Sequence, residues 1–411
     1  MVSAKKIKIV RIISRLNIGG PSIHTVLLSA HLNSDRFKTT LVKGIEGNSE
    51  GDMRDLLRKK KVRPIIVTEL AREISLARDC VAFVKLYKLI CREKPDIVHT
   101  HTAKAGLLGR VAAKLAGVPI IVHTFHGHLF HSYFGYLTTK LIVFIERLLA
   151  HLTSKIIIVS EKVRKDIVEK YRIATYSKVI TMPLGLELTP FLDVDKQRGF
   201  LRKELGLSDK IALVGIVARL VPVKGHKYFI EAAAAVMKRL LNVKFLVIGD
   251  GELKEKLEDY VKQLGILESV TFCGFRKDLP HIYADLDVVV LTSLNEGLPV
   301  AIIEGMAAAK PVVAFDVGGV KDLIQDNVTG ILVPFGDVQK LADSITSLLG
   351  DPLECERLGQ NARRKAYPYL DYRRLVRDME EFYCQLMKNR VNYLENHGVK
   401  AYEKMEGVGA L

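Results

Sequence analysis

The 411-residue sequence contains no CxxC pair, and its five cysteines, Cys80, Cys91, Cys273, Cys355 and Cys384, are scattered and odd in number. That spacing excludes a disulfide framework and a structural zinc site, and it fits a reducing cytoplasm. There is also no apolar run of the roughly 20 residues needed to cross a bilayer. The segment after Met1 passes through lysines straight into a short aliphatic stretch, with no secretory h-region. No helix-turn-helix, zinc-finger or RNA-recognition signature occurs, so nucleic acid is not an expected partner.

Excess charge is missing from one half only. Residues 1–200 carry 34 Lys and Arg against 17 Asp and Glu, whereas residues 201–411 carry 28 against 29, so the first half holds the whole net charge of +16. A basic face suits a phosphate-bearing acceptor or an anionic lipid surface, although a merely solvated surface gives the same count.

The length exceeds what one core usually supports and implies two domains. Short β-branched runs alternate with longer amphipathic segments, the pattern of βαβ units in doubly wound α/β sheets. Strands are expected at 7–13, 39–42, 64–67, 96–99, 119–123, 155–159 and 178–182, and again at 211–217, 243–248, 270–273, 286–291, 311–314 and 330–333. Pro183, Gly185 and Pro190 interrupt the series and mark a linker. The expected organisation is therefore one Rossmann-like domain over 1–190, a second over 191–370, a long helix over 371–395 and a fraying tail over 396–411. Leu375, Met379, Phe382 and Leu386 recur on one face of that helix.

In open α/β sheets ligands bind beyond the carboxyl ends of the strands. After the strand at 211–217, Arg219 and Lys224 lie on the loop leading to a helix at His226, where two cations and a helix N-terminus suit a diphosphate. Taken alone they also read as ordinary surface cations. After 286–291 comes Glu296-Gly297-Leu298-Pro299 and then an apolar helix that contains Glu304. A lone carboxylate there is expensive to bury unless it binds a ligand, caps a backbone or meets a cation. Gly249-Asp250-Gly251, Gly274-Phe275-Arg276 and Gly318-Gly319 close other strand ends and permit near backbone approach.

Glu296 and Glu304, eight residues apart, together with Arg219, Lys224, the Gly249-Asp250-Gly251-Glu252 turn and Gly318-Gly319, resemble the donor domain of the retaining family four glycosyltransferases. The resemblance extends over nearly the whole chain. It implies a GT-B fold, in which two Rossmann-like domains face across a cleft and a C-terminal helix crosses back to the first. It further implies transfer of a sugar from a UDP- or GDP-sugar to a saccharide or lipid-linked acceptor, with retention and without a metal or other cofactor. By the same resemblance Arg219 and Lys224 neutralise the leaving diphosphate, Glu296 holds the donor sugar and Glu304 the ribose. Backbone N–H groups near Leu298 take phosphate, Gly274 and Phe275 face the base, and Gly249 and Gly251 line the site. Members that build polysaccharides or lipid-linked oligosaccharides are the nearest match.

In the first half, Gly19 and Gly20 precede a helix expected from Ser22, on a loop that the resemblance sets near the donor phosphates and the acceptor. His126 lies in the run His123-Thr124-Phe125-His126-Gly127-His128, with His131 beyond. Without an accompanying acid or cysteine this run is not a metal site, and the resemblance makes His126 a polar group beside the donor sugar. His99 and His101 read as structural histidines or as further groups facing the cleft. Phe125, Phe130, Tyr133, Phe134 and Tyr136 lie within 115–139, which has no charged residue, ahead of a segment with Leu137, Leu141, Phe144, Leu148 and Leu152 on one face. That face either packs on the sheet or meets an anionic membrane from the cytoplasmic side. Two rival functions use the same donor residues: a nucleotide-sugar epimerase and a sugar-nucleotide binder without turnover.

Overall fold

The computed structural model describes residues 5–47, 51–71, 73–127 and 135–396. The chain divides into two compact units, one made of 1–186 with 372–411 and the other of 187–371.

The first unit is built on seven parallel strands: β1 (Ile7–Ile13), β2 (Phe37–Lys43), β3 (Ile65–Ile66), β4 (Ile97–His101), β5 (Ile120–Phe125), β6 (Lys155–Ile158) and β7 (Val179–Thr181). Their order is β3-β2-β1-β4-β5-β6-β7, so the winding reverses between β1 and β4. Four helices fill the crossovers used below: α1 (Gly20–His31), α2 (Leu76–Glu93), α3 (Ala103–Leu115) and α4 (Tyr136–Leu152). Strands covered on both faces need an unbroken apolar run, and every residue of β4 and β5 is buried. Alternation along β1 sends Ile7 and Ile9 to one face and Val10 and Ile12 to the other. On the first face Leu375, Met379, Phe382 and Met387 of the C-terminal helix Tyr372–Asn396 complete the core. On the second, Ala82, Leu86 and Ile90 of α2 and Ala105 and Ala112 of α3 do so. A buried ion pair, Arg110 Nη2 to Glu146 Oε2 at 2.7 Å, ties α3 to α4.

The second unit repeats the plan with six parallel strands: β8 (Ala212–Val217), β9 (Val243–Ile248), β10 (Val270–Gly274), β11 (Val288–Leu291), β12 (Val312–Phe315) and β13 (Ile331–Val333). The order is β10-β9-β8-β11-β12-β13, reversing between β8 and β11. Helices α5 (His226–Met237), α6 (Val300–Ala307) and α7 (Val338–Gly350) pack on it.

Two expectations need correction. The strand expected at 96–99 runs on to His101, so His101 is buried inside β4 together with His99. Helix α1 starts at Gly20, two residues before Ser22, because Pro21 fits the first helical turn. Of the two readings left open for the apolar face of α4, packing on the sheet is not the one observed: Leu137, Leu141, Phe144 and Leu148 are exposed by 79, 58, 56 and 54 %, while Val143, Glu146, Leu149 and Ala150 face inward. His128, Phe130, His131, Tyr133 and Phe134, and the tail beyond Asn396, lie outside the described residues.

Candidate functional site

In the second unit the loops at the strand ends are fastened to one another in series. After β8 a single 3-10 turn, Pro222–Lys224, and Gly225 in the left-handed region lead into α5. Leu294 N–H donates to Val223 O at 2.8 Å, and Thr292 Oγ1 donates to Lys224 O at 3.3 Å, so the loops after β8 and β11 are held together. That contact sets Lys224 Nζ 2.5 Å from Glu296 Oε1 in a mostly buried ion pair. Gly318 comes so near that a Cβ there would stand 2.0 Å from Glu296 O, with φ +51 besides. Gly319 N–H donates to the same oxygen at 3.0 Å. On the other side of β8 a Cβ on Gly249 would stand 1.9 Å from Ala218 O, next to Arg219. Gly249 N–H in turn reaches Gly274 O at 2.8 Å.

The series from Gly274 through Gly249, Arg219 and Lys224 to Glu296 and Gly318 therefore forms one rim across neighbouring strand ends. Leu298 is buried just beyond it, and Pro299 precedes the first turn of α6. Arg219 has no ion-pair partner among the described residues, which leaves the rim with one cation beyond the Lys224–Glu296 pair. A free guanidinium beside a helix N-terminus suits an anion. Phe275 is exposed, whereas Arg276 is engaged by Glu204 at 2.5 Å and Asp278 at 2.7 Å.

Glu304 projects from α6 into a buried position. Its Oε2 accepts from the Tyr283 hydroxyl at 3.2 Å, and the same hydroxyl lies 3.0 Å from Ala301 O. Burial pushes the Glu304 carboxyl up to about 8, and the Tyr283 hydrogen bond offsets this only in part. Among the described residues no cation faces it, so of the structural roles open to it neither ion pairing nor capping applies. His226 opens α5 fully buried, and burial followed by the Lys224 charge lowers it to about 4.

In the first unit Gly19 and Gly20 lead into α1, and His126 directly follows β5. The histidine run itself does not converge. His123 faces α3, where its Nδ1 meets Thr100 Oγ1 at 2.8 Å, while His126 points to the opposite side of the sheet. There it joins His24 of α1 and His101 of β4. Nitrogen atoms of these three rings lie within 4.8 Å of one another, a donor set of the kind that holds zinc. Arg11 Nη1 lies 3.1 Å from His99 Nδ1 and 3.4 Å from His101 Nε2. His99 also meets the Tyr383 hydroxyl at 2.6 Å and Thr124 Oγ1 at 2.7 Å. Burial holds His24, His99 and His101 well below the usual histidine range and takes His126 to about 3, with Arg11 adding to the shift in each case.

Sequence reasoning overlooked Arg11, the role of His24, Tyr283 and Tyr383. Arg11 had a signal, a cation inside an aliphatic strand that must be buried on both faces. The tyrosines had none, since their partners lie 21 and 284 residues away in the chain.

Two family models match the chain: Glycosyl transferases group 1 over residues 197–365, and Glycosyltransferase Family 4 over residues 18–189. Among curated proteins, the chain is 32% identical over 343 residues to the Escherichia coli UDP-Gal:alpha-D-GlcNAc-diphosphoundecaprenol alpha-1,3-galactosyltransferase, covering 83% of the chain and 88% of the relative. It is 28% identical to the Staphylococcus aureus capsular polysaccharide biosynthesis glycosyltransferase CapM, over 78% of the chain and 85% of the relative. Among solved structures, Anabaena HepE in complex with UDP superposes with a TM-score of 0.77 at 23% identity, covering 92% of this chain and all of that one. This last is a likeness of fold.

Proposed function

Because the chain belongs to the group 1 glycosyltransferases and has their two-domain GT-B fold, we propose that it moves a hexose from a UDP-sugar to a saccharide carried on a lipid diphosphate. The observation that carries this reading is the rim of the second unit, where Arg219 has no ion-pair partner among the described residues beside the Lys224–Glu296 pair. The UDP-sugar binds there with its diphosphate against Arg219, Lys224 and the start of α6. As the bond from the anomeric carbon to the β-phosphate oxygen breaks, charge grows on that oxygen, and fixed cations stabilise it more than they stabilise the intact donor. The cations do the work a metal does elsewhere, so the reaction proceeds without one. Glu296 meets the sugar, and Glu304 accepts from the ribose hydroxyls.

The acceptor binds the basic first unit. Transfer retains the anomeric configuration, with the acceptor hydroxyl proton passing to the departing phosphate oxygen. Support for the lipid-linked acceptor comes from the name of the Escherichia coli relative and from the exposed aliphatic face of α4, which suits the inner face of the cytoplasmic membrane.

The test is a transfer assay with UDP-galactose, UDP-glucose, UDP-N-acetylglucosamine and GDP-mannose, using N-acetylglucosamine on a polyprenyl diphosphate as acceptor. Acceptor-dependent product with a UDP-sugar, undiminished by EDTA, is expected. An epimerised donor formed without acceptor would sink the reading. Glu304→Ala is expected to weaken UDP binding about 3- to 10-fold, measured by calorimetry at pH 7, through loss of the neutral carboxyl that accepts from the ribose hydroxyls.

A further inference from the structure

The hydrogen bonds around His126 fix where its proton sits. Arg11 is fully buried in β1, and among the described residues it has no ion pair. A guanidinium carries donors only. Since Arg11 Nη1 reaches His101 Nε2 at 3.4 Å, that nitrogen accepts, and the proton of the neutral ring lies on Nδ1. His101 Nδ1 is 3.0 Å from His126 Nε2, which must accept in turn. The proton of His126 then belongs on Nδ1, a buried atom with no hydrogen-bond partner among the described residues. The opposite direction of donation would turn an N–H of His101 against the Arg11 N–H, and a doubly protonated ring at either position faces the same conflict.

We propose that Arg11, acting through His101, holds His126 as the Nδ1–H tautomer, so that His126 offers a hydrogen bond to a substrate oxygen and does not act as a base. Arg11 and His101 are positioning residues. The part that concerns substrate rests on the glycosyltransferase reading above; the tautomer does not.

The described surroundings agree. His24 of α1 and His101 of β4 pack against the His126 ring, behind them Arg11 of β1 and Thr124 and Tyr383 gather on His99 of β4, and none of these is acidic. His24 has both ring nitrogens buried without a partner among the described residues and stands edge-on to His126 at 4.9 Å between centroids. The same chain of bonds rules on a metal at His24, His101 and His126. The lone pair needed on His101 Nδ1 is replaced by a proton, and a dication would share the buried space with Arg11 and no carboxylate.

Long-range 15N–1H spectra of the full, histidine-labelled protein at pH 7 test the proposal without substrate. His101 and His126 are expected as Nδ1–H tautomers and His99 as Nε2–H. Arg11→Met is expected to release His126 to the Nε2–H form and to lower kcat tenfold or more with the Kd for UDP unchanged, while Arg11→Lys restores much of both. Should Arg11→Met fail to fold, the wild-type spectrum still decides. An Nε2–H or imidazolium signal for His126, or one equivalent of zinc retained after dialysis and lost in His24→Ala, overturns the proposal. The expected tautomers in a protein that transfers no sugar from any donor would leave this inference standing and end the functional one.

Discussion

The two units share one plan, a parallel sheet that reverses its winding next to its first strand, and they use opposite chemistry at the same place in it. The first carries 39 Lys and Arg against 20 Asp and Glu, the second 23 against 26. Under the reversal between β1 and β4 the first unit gathers Arg11 and four neutral histidines, the buried His24, His99 and His101 and the half-buried His126. Under the reversal between β8 and β11 the second places an ion pair, a free guanidinium and a buried carboxyl. The fold thus decides where a ligand meets the sheet, and the side chains decide which ligand it is.

The largest effect expected from this contrast is in acid. A histidine lowered in the folded state is neutral in both states above about 6.5. As the pH falls from there, the unfolded chain takes up protons that the folded chain refuses. Each such histidine then removes at most about 1.4 kcal/mol of stability per pH unit, down to its folded value. His24, His99, His101, His123 and His126 all lie in the first unit. Glu304 acts in reverse: raised to about 8, it withdraws stability from the second unit as the pH climbs above about 4.5, so acid restores it. His226, lowered to about 4, partly cancels that gain. Hydrogen exchange followed from pH 7 to pH 5 should therefore show protection lost in β1, β4 and β5 before β8, β9 and β11. Loss in the opposite order would break the comparison.

Next in size are two substitutions that act differently on the two units. Glu146→Ala leaves Arg110 as a buried, uncompensated cation and should destabilise the first unit by about 3–5 kcal/mol, read by denaturant unfolding. Lys224→Ala should lower kcat by about 10²- to 10³-fold and, because it leaves the mostly buried Glu296 unpaired, lower the melting temperature of the second unit, though less than Glu146→Ala lowers that of the first. The smallest effect in stability belongs to α4. Leu141→Ser with Phe144→Ser should change unfolding by no more than about 0.5 kcal/mol, because both side chains already face solvent. The same pair should abolish sedimentation with anionic vesicles. Unchanged binding to those vesicles would leave the aliphatic face without its proposed partner.

The rim of the second unit was legible in the sequence because Arg219, Lys224 and Glu296 lie on the loops that follow β8 and β11, and strands with aliphatic runs declare their own ends. Glu304 stood out differently, as the one carboxylate in the apolar helix beyond. The histidine cluster could not be assembled from the sequence for the complementary reason. His123 and His126 are neighbours in sequence but lie on opposite sides of the sheet, whereas His24, His101 and His126 arrive from three elements. The one-sidedness of α4 was visible, but not which way it faced. A helix pattern gives the spacing of its apolar residues, and only the neighbouring elements decide whether that stripe or the one beside it is covered.

By itself the sequence determined the strands, the doubling of the architecture and the cationic rim, since these depend on local periodicity and on loops a few residues long. Only the tertiary structure decided that Tyr283 meets Glu304, that Arg11 directs the protons of two histidines and that α4 turns its leucines outward. Each of these depends on groups far apart in the chain, whose meeting is set by how helices and strands pack and not by any run of residues between them.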